Sequence, residues 1–295
     1  MKTLLVISGA TGVGKTELSL QVAERLTCPI LNADSRQIYR ELPIGTAAPT
    51  AEEQARVKHY FVGTHSVSEA YSAGEYAADA LTLIKQLHQK HDTLLMVGGG
   101  MMYIDAVCKG LDNIPKVPSD LRKQIRADYE TKGLTWLQEE VCKADPDYFA
   151  KADIHNPQRL MHALEVSKHT GKPYSTFLGR TKTEHDFRIL QVQLTRERDE
   201  LYERINQRVL KMMDEGLEEE ARRVYPMRGL NALNTVGYKE MFKYFDGDIS
   251  KEKAVELIQQ HSRNYAKRQL TWWRTLENKI PITTATADTI IDMLV

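Results

Sequence analysis

The chain is short of sulfur, of net charge and of long apolar runs. Its 295 residues include only Cys28, Cys108 and Cys142. An odd number at wide spacing builds neither a disulfide framework nor a metal knuckle, so three inert thiols in a reducing compartment are expected. Lys plus Arg and Asp plus Glu number 40 each, so no global field draws the chain to a polyanion. Any nucleic-acid surface has to be a local patch. No apolar run approaches the roughly 20 residues that span a bilayer. The opening "MKTLLVISGA" has the look of a leader, but it runs straight into a glycine loop that cleavage would destroy. The expectation is a soluble, cytoplasmic protein with no membrane contact, and a monomer, since no interface pattern stands out. Internal repeats and low-complexity segments are also missing.

What is present is a real core, with 42% hydrophobic residues. Strand-like runs end in small or polar residues at Leu4–Ser8, Pro29–Ala33 and Thr93–Gly100, with helical stretches at Lys15–Leu26 and Ser72–Lys90 between them. Such alternation implies a parallel sheet covered on both faces. Phe187–Leu194 reads as one more buried strand. Between Leu111 and about Asp186 the pattern turns helical. One helix is expected to start with Ser119 as N-cap. Another is expected from Asn156 as N-cap, with Pro157 first in the helix and Gly171 ending it. The expected architecture is α/β: a P-loop NTPase-like parallel sheet flanked by helices over 1–112 and 187–295, with a helical insertion domain over 113–186. Later, Leu201, Ile205, Val209 and Met212 form one apolar stripe.

"GATGVGKT", Gly9 to Thr16, fits G-x-x-x-x-G-K-[ST] between a strand and a helix. Gly9, Thr11, Gly12, Val13 and Gly14 supply backbone N–H groups to phosphate oxygens, and the helix N-terminus adds positive potential. Lys15 brings a point charge, and the Thr16 hydroxyl is placed for Mg²⁺. This pattern is specific for a diphosphate and silent on the molecule carrying it.

Hydrolytic P-loop enzymes hold Mg²⁺ with an acidic residue ending a second core strand. Here "TLLMVGGG" ends in glycines. Asp34, closing "CPILNAD", is the acidic residue best placed to face the loop, because ligands gather at the carboxyl ends of parallel strands. It can hold Mg²⁺ through water, act as a base, or simply cap the next turn. A small-molecule kinase also uses an Asp near such a loop. "SRNYAKRQLTWWR" carries Arg263, Lys267, Arg268 and Arg274 interleaved with Tyr265, Trp272 and Trp273. On a helix Arg263, Lys267 and Arg274 share a face suited to tracking phosphates, while at least one Trp is expected in the core.

"NADSRQIYRELPIGTAAPT" (Asn32–Thr50) resembles the tRNA dimethylallyltransferases. The similarity runs on through "AYSAGEYAADA", "VGGGMMY", "NPQRLMHALEVSKHTGKP", "VGYKE" and "YAKRQLTWWR", nearly the whole chain in the family's order. The resemblance implies transfer of a dimethylallyl group from dimethylallyl diphosphate to N6 of the adenosine 3′ to the anticodon, with the anticodon stem-loop of tRNA as partner. The bound phosphate is then a leaving group, stabilised by the loop, Lys15 and Mg²⁺. Asp34 is implied as general base. Arg208 is implied to contact the diphosphate. Ser35, Arg36 and Gln37 beside Asp34, with Gly100, Arg122, Gln158, Arg159, His162 and Lys239, match positions that meet tRNA. Read without the family, Arg208, Arg122, Gln158 and Arg159 are solvated surface groups. The chain departs from the family at Gly100, where a threonine is usual, at His162 in place of an arginine, and at Asn234. Two other readings stand beside this one: a P-loop kinase of a small metabolite, and a nucleotide-gated RNA-binding regulator.

Overall fold

A computed structural model of the chain describes residues 1–179, 184–275, 279–283 and 285–294. The chain divides into two compact units, Met1–Cys108 with Glu184–Val295, and Lys109–Thr183.

The first unit begins with β1 (Thr3–Gly9), α1 (Lys15–Leu26), β2 (Ile30–Asn32), α2 (Ala51–Arg56), β3 (His59–Tyr60), α3 (Ala73–Leu87), β4 (Thr93–Gly98) and α4 (Met101–Lys109). The second unit holds α5 (Ser119–Ala144), α6 (Pro146–Phe149) and α7 (Pro157–Thr170). The first resumes with β5 (Arg188–Leu194), α8 (Arg198–Asp214), α9 (Leu217–Val224), α10 (Tyr238–Phe245), α11 (Lys251–Arg274), β6 (Lys279–Ile282) and α12 (Ala287–Asp292).

Six strands pair in the order β3-β2-β4-β1-β5-β6, every pair parallel. All seven residues of β1 are buried, because a central parallel strand is covered on both faces. The core beneath one face joins Leu5, Ile7, Leu20, Val192, Leu201 and Trp273. Trp273 is thus the expected core tryptophan. The stripe of Leu201, Ile205, Val209 and Met212 is buried as its spacing predicts.

Local rules set several boundaries. Ser72 and Glu75 form a capping box that starts α3. Asn156 Oδ1 accepts the Arg159 N–H, Pro157 opens α7, and Gly171 closes it at φ 68°. The expected Ser119 cap is corrected: Pro118 holds the cap position and Ser119 is already helical. Gly133, at φ 79° and ψ −174°, breaks α5 into two helices. β3 and β6 escape the sequence pattern because they are short edge strands of half-exposed residues, one containing Pro281.

Candidate active site

The carboxyl ends of β1, β2, β4 and β5 open into a cleft of about 1650 Å³ within the first unit. That exceeds the roughly 300–1,000 Å³ of ordinary small-ligand pockets, so it suits a ligand larger than a metabolite. β2 lies two places from β1 with β4 between, which sets Asp34 about 10 Å from the loop after β1 at normal strand spacing.

The loop from Gly9 to Gly14 turns through positive φ at Gly12 (80°) and Gly14 (106°), conformations that disfavour a side chain. A Cβ on Gly12 would also lie 2.9 Å from Ile205 Cγ1, so the glycine lets α8 pack on the loop. Lys15 Nζ donates to the carbonyls of Gly9 at 2.8 Å and Ala10 at 3.0 Å. Although part-exposed, its amine is desolvated in the cleft. Burial first, then the charge of Arg208, push it down to about 8, with Asp34 opposing. Thr16 is exposed in the same cleft and Val13 is buried beneath it.

α8 brings arginines to this loop. Arg208 Nη1 donates to Thr11 Oγ1 at 2.9 Å and Nη2 to the Thr46 carbonyl at 3.3 Å. Burial pulls its guanidinium below the ordinary value, and the Asp34 charge opposes that. One turn earlier, Arg204 Nε donates to Gly12 O at 2.9 Å. Arg196, just past β5, donates from Nε to Val13 O at 3.3 Å and pairs with Glu200. Arg196 and Arg204 were missed in the sequence. Their signals were the four-residue spacing from Arg208 and the place at a strand end.

Asp34 is half-buried in the cleft. Its Oδ1 accepts the N–H of Arg36 at 2.9 Å and of Gln37 at 3.3 Å, so it does cap the turn. Among the described residues Oδ2 has no hydrogen-bond partner. One oxygen holds the loop while the other is available to chemistry. Ser35 lines the cleft. Arg36 donates to the carbonyls of Asn231 and Ala232, both at 3.1 Å, and Gln37 Nε2 to those of Thr46 and Ala47, at 3.1 and 2.9 Å. Both therefore brace the wall as well as line it. The Ile44–Thr46 stretch is held from behind by Glu220, which accepts the N–H groups of Ile44 and Gly45.

On α11, Lys267 and Arg268 are exposed, Arg268 lies over the Tyr265 ring, and Arg263 bonds Asn206. Lys239 is exposed on α10 at the cleft. Next to it Glu240 accepts the Gly237 N–H at 2.8 Å and meets His261 Nδ1 at 2.6 Å. Gly100 donates its N–H to Ala33 O at 3.0 Å, against the Asp34 turn.

In the second unit, Arg122 Nε lies 3.6 Å and His162 Nδ1 3.9 Å from Glu165 Oε2. Burial first, then Arg122, lower the His162 pKa, which favours the neutral ring at pH 7. Gln158 and Arg159 are exposed on the first turn of α7. Glu165, an acidic partner inside this basic group, was not anticipated.

Over residues 37–276 the sequence matches the IPP transferase family. The chain belongs to that family. It is similar to tRNA dimethylallyltransferase 2 of Porphyromonas gingivalis, 56% identical over 272 residues, 92% of this chain and 91% of that protein. Its structure is similar to the full-length tRNA isopentenylpyrophosphate transferase of Bacillus halodurans, with TM-score 0.71 and 35% identity over 99% of this chain and 94% of that one. A eukaryotic dimethylallyltransferase acting on tRNA is also similar, with TM-score 0.76 and 25% identity over 92% of this chain and 70% of that one. Membership of the IPP transferase family makes this chain a transferase on a P-loop NTPase-like fold.

Among the described residues of this family member, no three His, Cys, Asp or Glu side chains group as a metal site. One threonine hydroxyl at the loop suits Mg²⁺, which takes most of its oxygens from phosphate and water. No described helix is long and apolar enough to cross a membrane.

Proposed function

We propose that the chain transfers a dimethylallyl group from dimethylallyl diphosphate to N6 of the adenosine 3′ to a tRNA anticodon. The N–H groups of Gly12, Gly14, Lys15 and Thr16, with the Lys15 amine and Arg208, bind the diphosphate and take up the charge that grows as the allylic C–O bond breaks. The expected Thr11 and Val13 donors are instead spent within the protein, on Gln269 Oε1 and the Ala10 carbonyl. The Thr16 hydroxyl would hold a Mg²⁺ ion, which when bound would add positive charge beside the leaving diphosphate. Asp34 Oδ2 takes a proton from the exocyclic amine as the N6–C bond forms, which keeps the delocalised lone pair available. The products are N6-dimethylallyl adenosine and diphosphate, and no nucleoside triphosphate is consumed. A base that enters this cleft leaves the loop stack, at a cost of about a few kcal/mol offset by contacts inside. Lys239, Lys267 and Arg268, with Arg122, Gln158, Arg159 and His162, are assigned to the tRNA backbone and loop.

The observation that carries this reading is the free oxygen of Asp34 in the same cleft as the phosphate loop and Arg208, in a member of this family. The test is incubation with unmodified tRNA, Mg²⁺ and labelled dimethylallyl diphosphate. Label is expected in the RNA without ATP. Label that appears only with ATP, or phosphate passing to a small acceptor, overturns the reading in favour of a kinase.

A further inference from the structure

Gln269 is only 1% exposed, yet both ends of its amide are in use. Oε1 accepts the Thr11 N–H at 3.0 Å, and Nε2 donates to the Gly99 carbonyl at 2.9 Å. The reason lies in the sheet. The β1–β4 ladder ends at Ser8 and Gly98, and beyond it the two chains diverge into the phosphate loop and the Gly98–Gly100 turn. Backbone groups past the last rung have lost their ladder partners and must find others. One carboxamide, an acceptor at one end and a donor at the other, serves an N–H and a carbonyl at once. Gly99 is shaped for it: a Cβ there would sit 2.5 Å from Nε2.

Each end of that bridge leads to a different part of the site. Thr11 receives Arg208 on its hydroxyl. Gly99 is followed by Gly100, whose N–H holds Ala33 beside Asp34. We infer that Gln269 is a positioning residue that fixes the separation between the diphosphate held by the phosphate loop and Arg208 and the carboxylate of Asp34. The inference deepens the prenyl-transfer reading and rests on it. It assigns Gln269 no contact with either substrate. Reacting atoms have to be held about 3–3.5 Å apart, and a misplacement of about 1 Å costs on the order of 10²-fold in rate, so a brace between their two supports governs turnover.

The test uses the full chain with Gln269→Met, which removes both hydrogen bonds at similar volume, and Gly99→Ala, which displaces the amide without deleting it. Inorganic pyrophosphate with Mg²⁺ is titrated calorimetrically, and prenyl transfer is measured in steady state. In both variants the pyrophosphate Kd is expected to rise about tenfold, as befits buried groups left unpaired. kcat is expected to fall by at least as much, with KM for tRNA within about twofold of wild type. Wild-type pyrophosphate affinity and kcat in Gln269→Met, with only a lowered melting temperature, would make the glutamine a core residue and overturn the inference. Should Gln269→Met fail to fold, the same criterion applied to Gly99→Ala decides. A wild-type chain that binds pyrophosphate but transfers no prenyl group would overturn the functional reading and leave the pyrophosphate comparison intact.

Discussion

The phenol of Tyr238 donates to Glu220 Oε1 at 2.6 Å where neither side chain has exposed surface. The same carboxylate accepts Gly45 N–H at 2.7 Å and Ile44 N–H at 2.9 Å. This knot holds the loop whose next carbonyl, Thr46, receives Arg208 and Gln37. Tyr238→Phe is expected to cost about 1–2 kcal/mol, and Glu220→Ala, which strands three donors, about 3 kcal/mol or more. Denaturant unfolding measures both. A loss below about 1 kcal/mol in Glu220→Ala would show that the loop holds itself.

Asp34→Asn keeps an acceptor for the N–H groups of Arg36 and Gln37, so the turn survives. The proton-accepting power is lost, together with the negative charge that favours the charged forms of Lys15 and Arg208. Turnover is expected to fall about 10²–10⁴-fold while tRNA affinity changes little. Equal losses in both, read by single-turnover kinetics and filter binding, would reduce Asp34 to a turn cap.

Lys15 titrates near 8 because burial and Arg208 outweigh Asp34. An anionic diphosphate favours the charged amine, so the bound pKa lies above the free one and affinity falls as pH rises through about 8. Arginine does not titrate in this range. The ratio of wild-type to Lys15→Arg pyrophosphate affinity is therefore expected to drop about tenfold between roughly pH 7 and 9. A constant ratio would show that the amine is already charged throughout. On folding the sign is opposite: the unfolded chain binds more protons between about 8 and 10.5, so this group adds stability as pH rises across that window.

Gly100 is packed against the turn that carries Asp34. A Cβ there would lie 2.6 Å from Ala33 O and 3.4 Å from Asp34 Cα. Gly100→Thr therefore cannot simply add a hydroxyl; it has to push the Asp34 turn. The expected cost is about 1–3 kcal/mol of stability with no gain in turnover. A faster enzyme with an unchanged melting temperature would refute this.

Much of the architecture was legible because its causes are local. α1 runs from Lys15 to Leu26 as its apolar spacing predicts, and α7 begins and ends on its cap, proline and glycine. The α8 stripe is buried residue for residue. Ser119 misled by one position, since the helix already includes it and Pro118 stands at the cap, and β3 and β6, of two and four residues, were too short to announce themselves.

By itself the sequence determined the phosphate loop, since a strand, glycines at positive φ and a helix start are settled within a few residues of one another. It also carried the family blocks in order. The tertiary structure alone decided which polar groups meet at the cleft. Strand order places the Asp34 turn two strands from the loop, turns Arg36 onto the carbonyls of Asn231 and Ala232, and buries Glu220 and Gln269 behind the walls. Those partners lie some 170 to 258 residues apart in the chain, and only sheet pairing and helix packing bring them together.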